Sequence, residues 1–153
     1  MDVKWINPFI QSFTEVMPQV GFQNVERGKL SLKKGPLKSS GIIMNLGIIG
    51  DLQGNVVYDL SLESGKKIAS TMMMGAPVET LDEIAQSALT ELSNMITANA
   101  SIIFSNMDIS TNISTPTLMH GDNFEVKLNT DQYICVQMIA DGITVDVNVA
   151  IHK

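Results

Sequence analysis

The chain is poor in cysteine, in charge and in long apolar runs. Cys135 is the single cysteine among 153 residues, so no internal disulfide can form and a reducing compartment is expected. Charged residues make up only 17%, beside an apolar share of 44%, which argues for a packed globule and against a disordered chain. Bases are outnumbered ten to sixteen, and the net charge of -6 disfavours nucleic acid or an anionic membrane as partner. No stretch approaches the roughly 20 apolar residues of a membrane span. The opening Met1-Asp2-Val3-Lys4-Trp5 lacks the basic-then-apolar layout of a secretion signal. A cytoplasmic protein with one domain over residues 1–153 is the expectation.

Reactive chemistry is also sparse. His120, His152 and Cys135 have no metal-ligand spacing. Gly47, Gly50 and Gly54 form neither nucleotide-binding fingerprint, so no cofactor is indicated. Methionine, by contrast, is plentiful, with ten residues and a run at Met72-Met73-Met74. It reads either as adaptable core filling or as a soft interface.

Periodicity divides the chain into helix, strands, helices and strands. Asn7-Pro8 reads as an N-cap followed by a helix-compatible proline, opening a helix with apolar residues at Phe9, Ile10, Phe13, Val16, Met17 and Val20. Pro18 and Gly21 mark its end. Residues 42–49 form a continuous apolar run, and 50–54 read as a hairpin loop before a strand over 56–62. A short helix is expected over 66–74. Thr80 and Glu83 then form a capping box for a helix running to about Phe104. Strands follow near 112–118, 124–128 and 133–139. Asp141-Gly142 is a two-residue hairpin signal. The last strand alternates, with Val145, Val147, Val149 and Ile151 inward and Thr144, Asp146 and Asn148 outward. Each half is a long helix leading into strands, as a degenerate duplication would be. The expected fold is α+β, a largely antiparallel sheet with two long helices packed on it.

The second long helix carries Glu91-Leu92-Ser93-Asn94. Its apolar stripe runs through Leu81, Ile84, Ala85, Ala88, Leu92, Met95, Ile96, Ile102 and Ile103. At 3.6 residues per turn, Glu91 falls roughly 80° and Asn94 about 140° from the centre of that stripe. Both are expected on an exposed flank, among the small residues Ser87, Ala98 and Ser101. Asn99 falls inside the stripe and is expected to be buried and internally bonded. An isolated E-x-x-N on a helix is usually only a solvated face; its context has to raise it.

That context resembles the chemotaxis phosphatase family of CheC, CheX and FliY, and most closely its CheX branch. The similarity rests on Glu91-Leu92-Ser93-Asn94-Met95-Ile96, on Ile6-Asn7-Pro8-Phe9 before an amphipathic helix, on the hairpin at 50–54 and on the strand-rich tail. The resemblance implies hydrolysis of the aspartyl phosphate of a CheY-type response regulator. It assigns Asn94 to orient the attacking water and Glu91 to dock through a lysine of the regulator. It implies no cofactor of the chain's own, Mg2+ on the regulator, and a homodimer made by pairing sheet edges. Glu15-Val16-Met17-Pro18 in the first helix has proline where a second motif needs asparagine, unlike the two-site CheC pattern. A non-catalytic module binding a regulator or a flagellar-switch component is the alternative.

Overall fold

The computed structural model describes residues 2–153. A 3-10 turn over Val3–Ile6 leads into α1 (Asn7–Gln19). Then come β1 (Val25–Lys34), β2 (Leu37–Ser39), β3 (Ile42–Gly50), β4 (Gln53–Leu60) and α2 (Leu62–Met72). The second half is α3 (Glu83–Ser105), β5 (Thr111–Ile113), β6 (Thr117–His120), β7 (Phe124–Val126), β8 (Gln132–Ala140) and β9 (Ile143–His152).

The main sheet is antiparallel, in the order β1-β8-β9-β4-β3, with β5 and β6 both pairing β3 at the far edge. A separate ribbon pairs β2 with β7. The expected duplication is plain in this topology. Exchange α1 with α3, β1 with β5 and β6, β2 with β7, β3 with β8 and β4 with β9, and every pairing maps onto another. Each half lends its edge strand to the other half. The two hairpin tips repeat the same clasp. Asp51 accepts from the Ser110 amide at 2.8 Å, and Asp141 accepts from the Asn24 amide at 2.8 Å. Each tip therefore ties down the loop that follows the long helix of the opposite half. At Asp141 and Gly142 the φ angles are 48° and 81°, as a two-residue turn with two left-handed positions requires.

Several boundaries depart from the sequence reading. Asn7 is already helical and Ile6 stands at the N-cap, because the 3-10 turn runs directly into α1. The end of α1 is as expected: the Phe22 amide bonds the Met17 carbonyl at 3.1 Å, with Gly21 at a φ of 115°. The short helix begins four residues early, since Ser61 caps it by accepting from the Ser64 amide. Asp82, not Thr80, caps α3, accepting from the Ala85 amide at 2.9 Å. A carboxylate nearer the helix outcompetes the threonine. Pro116 splits the strand expected near 112–118 into β5 and β6.

The core fills the space between the helices and one face of the sheet. Phe9, Phe13 and Met17 from α1 meet Leu89, Leu92, Ile96 and Phe104 from α3 over Met44, Tyr58, Val136 and Val147. Phe9 and Phe104 stack edge to face at 5.8 Å. The reverse face is not simply solvated. Leu37, Val126 and Leu128 from the β2–β7 side pack on Ile43, Val57, Tyr133 and Ala150. Asn148, expected to face outward, is therefore fully buried and donates to the Val57 carbonyl at 3.1 Å. Cys135 lies buried on this strand layer, and burial pushes its thiol up to about 11, as suits a structural cysteine.

Beside it, Asp59 and Asp146 stand directly opposite each other on β4 and β9. Burial raises both carboxyls above the usual aspartate range; for Asp59 the neighbouring Asp146 adds to the rise, against the Ser39 hydroxyl. Groups with raised folded-state pKa favour the fold while protonated, and that contribution fades as pH climbs through the raised values. Thermal stability should therefore decline from the ordinary aspartate range upward. Asp146→Asn should flatten that decline and raise the melting temperature at pH 7, measured by calorimetry across pH 4–8.

Candidate active site

A surface helix presents chosen side chains only when its rotation is fixed. The inner face of α3 is Ala85, Leu89, Leu92, Ser93, Ile96, Thr97, Ala100 and Phe104, all buried. Burying its large apolar members contributes roughly 1.5–3 kcal/mol each. Two of the buried residues are hydroxylated and are satisfied locally. Ser93 Oγ donates to the Thr90 carbonyl, and Thr97 Oγ1 donates to the Ser93 carbonyl at 2.7 Å. With that proton committed, the Tyr58 phenol must donate to Thr97 Oγ1, at 2.8 Å. A hydrogen-bonded thread thus runs from the central strand β4 to the backbone between Glu91 and Asn94. Full burial pushes the Tyr58 phenol well above the ordinary tyrosine range, so it stays a donor.

This face sits further round the helix than the sequence stripe placed it. Ile84 and Ile102, expected inward, are 67% and 60% exposed. The reason is that Ser93 and Thr97 turn inward through their bonds to carbonyls four or fewer residues away, which apolar periodicity cannot register. Glu91 consequently lies nearly opposite the core and is exposed, while Asn94 is half-buried on the flank. Among the described residues the side chains of Glu91 and Asn94 have no hydrogen-bonding partner. One is a free charge and the other a free carboxamide, three residues apart on one side of one helix. Of the small neighbours, Ser87 is exposed and Ala98 half-buried, but Ser101 is engaged by Thr111 of β5.

Asn99 is half-buried rather than buried, because α1 runs alongside it. Its amide donates to Glu15 Oε2 at 2.9 Å, and Gln11 holds the other Glu15 oxygen at 2.9 Å. These bonds, that of Asn99 first, lower the Glu15 carboxyl below the usual glutamate range. The glutamate of the incomplete first motif is thus used up as a clasp between the helices. Sequence reasoning missed this clasp and the Tyr58 thread, since neither has a local signature. Among the described residues no group of three or more His, Cys, Asp or Glu side chains stands together as a metal ion would need. No helix among them is long and apolar enough to cross a membrane.

The family described as chemotaxis phosphatase CheX matches residues 42–140, well over half the chain, including α3 and its E-x-x-N segment. The chain belongs to the CheX family. It is 29% identical over 127 residues to the CheY-P phosphatase CheX of Thermotoga maritima, covering 83% of this chain and 82% of that one. The fold matches a CheC-like superfamily protein of Shewanella with a TM-score of 0.87 at 24% identity, over the whole of both chains. It also matches CheX of Borrelia burgdorferi, determined as a complex with CheY, BeF3 and Mg2+. There the TM-score is 0.83 at 23% identity, covering 99% of this chain and 100% of that one. The α+β fold with its antiparallel sheet is the fold of CheX and CheC-like proteins.

The thread behind the motif can be cut without opening the core. Tyr58→Phe should cost about 1 kcal/mol, the worth of one buried neutral hydrogen bond. A urea midpoint shift of the matching size, with an unchanged slope, is the expected result.

Proposed function

We propose that this chain stimulates hydrolysis of the aspartyl phosphate on a CheY-type response regulator, with Asn94 orienting the water and Glu91 docking the partner. The observation that carries the reading is that neither side chain has a hydrogen-bonding partner among the described residues, Glu91 being exposed and Asn94 half-buried on the flank of a helix whose rotation the core fixes. The name of the Thermotoga maritima relative, a CheY-P phosphatase, supports the substrate class. The Borrelia burgdorferi complex supports CheY as the kind of partner and Mg2+ as belonging with that assembly.

An aspartyl phosphate is an acyl phosphate and already activated toward water. Its transition state needs a positioned in-line nucleophile more than a strong base. The Asn94 carboxamide is neutral, so it approaches phosphoryl oxygens without repulsion. Its oxygen accepts a hydrogen bond from the water and its nitrogen donates toward the phosphoryl group. Water attacks phosphorus and the bond from phosphorus to the aspartyl oxygen breaks. The products are the free carboxylate and inorganic phosphate, which takes up the water's proton. No covalent intermediate forms on this chain. Glu91 lies one turn earlier and would be repelled by the phosphoryl group alone. A lysine of the regulator beside its phosphorylated aspartate relieves that repulsion and gives a charge-assisted bond. The alternative of a non-catalytic binding module leaves the free Asn94 carboxamide without a task.

The chain acts in the cytoplasm, where such regulators work, and as a homodimer. Its longest free sheet edge is the ten-residue β1, whereas the other edge is broken into β5 and β6. Light scattering should give twice the 16.7 kDa chain mass, and a monomer at micromolar concentration would remove the dimer from the proposal.

Asn94→Ala should lower stimulated phosphate release on the order of 100-fold while binding survives. Glu91→Ala should weaken binding about tenfold or more, the worth of a charge-assisted hydrogen bond, and slow turnover with it. Phosphate release from an acyl-phosphorylated CheY-type receiver, with and without each variant, tests both. Equal rates for wild type and Asn94→Ala would end the assignment.

A further inference from the structure

The methionine run at the end of α2 is only partly consumed by the core. Met72 packs on the main cluster and Met73 closes α2, but Met74 is 98% exposed. Met74 also has a φ of 61°, a left-handed conformation rare for a residue with a side chain. Beside this turn, Met73, Pro77, Val78 and Ile84 line an open groove of about 580 Å³, with Glu79 and Asp82 at its rim. Ile84 joins the groove to the reacting pair. It precedes Glu91 by seven residues, or two helical turns, which sets it about 10 Å along the axis and within roughly 20° of the same line.

Scattered exposed isoleucines are ordinary on protein surfaces. This one is continuous with a groove that sets Met73, Pro77 and Val78 beside Glu79, Thr80 and Asp82, and it is collinear with Glu91 on α3. The charges nearby on the α3 side are Glu79, Asp82 and Glu83, and α3 contains no lysine or arginine. A partner of small-domain size covers about 800 Å² per side, a patch on the order of 30 Å across. A receiver reached by Asn94 and Glu91 would therefore extend over the groove as well.

We propose that this groove is a second contact of the docking surface. It takes an apolar side chain, flanked by basic residues, from the rim of the phosphorylated receiver. It sets which receivers are accepted, separately from the chemistry at Asn94. The proposal rests on the reading of Glu91 and Asn94 as the reacting pair.

Ile84→Ser and Ile84→Gln in the full chain test it, because this groove side chain is exposed and both variants should melt like wild type. Phosphate release is measured against concentration of a CheY-type receiver, with light scattering alongside. The expected result is a KM raised about tenfold with kcat within about twofold of wild type and no change in size, the pattern of lost uniform binding. An unchanged KM in both variants overturns the proposal. So does a change in oligomer size with KM unchanged, which would give the groove to a second copy of this chain. If wild type binds the phosphorylated receiver without hydrolysing it, the catalytic reading fails. The groove is then judged by titration calorimetry, where an unweakened Kd in both variants overturns it.

Discussion

Everything at the site depends on the seating of α3 on the sheet. Leu89, Leu92, Ile96 and Phe104 are driven inward by the hydrophobic effect, but that force is non-directional and tolerates some rotation. The thread from Tyr58 through Thr97 to the Ser93 carbonyl is directional, and it fixes the angle of the helix. With that angle set, Glu91 points away from the core and Asn94 lies on the flank. The scaffold thus supplies the orientation of these two polar groups.

The duplicated topology sets side by side two long helices, of which only α3 keeps the E-x-x-N pattern. Each half contributes a long helix, a hairpin and an edge strand, and the hairpin-tip aspartates clasp the opposite half in the same way. Equivalent positions have nevertheless diverged. In α1, proline replaces the carboxamide at position 18, and Glu15 is bonded to Gln11 and Asn99. With proline at that position, the Glu15 carboxylate serves as an interhelical clasp. The two related helices thus carry one E-x-x-N segment and one interhelical contact.

The reverse face of the sheet shows how a small ribbon alters burial. The β2–β7 pair covers Val57, Tyr133 and Ala150, and with them Asn148, whose amide then finds a backbone carbonyl. Where the cover stops, Asp59 and Asp146 meet half-buried across two strands. Their raised protonation follows first from partial burial, and for Asp59 the charge of Asp146 adds to it. This pair lies on the sheet face away from α1 and α3, and its protonation bears on stability.

Local signals in the chain determined a good deal: both long helices, the hairpin at Asp141-Gly142, the apolar strands and the pair Glu91 and Asn94. These are written in periodicity of 3.6 or 2 and in turn chemistry, so neighbours along the chain suffice to read them. The rotation of α3, the exposure of Ile84 and Ile102, the burial of Asn148 and the bonding of Asn99 to Glu15 were decided only by tertiary structure. In each case the deciding contact joins residues far apart in the chain or turns a polar residue inward. Apolar patterning assigns serine and threonine to the surface by default; only the packed fold shows that Ser93 and Thr97 satisfy their hydroxyls within the helix and so set which face of it is left free.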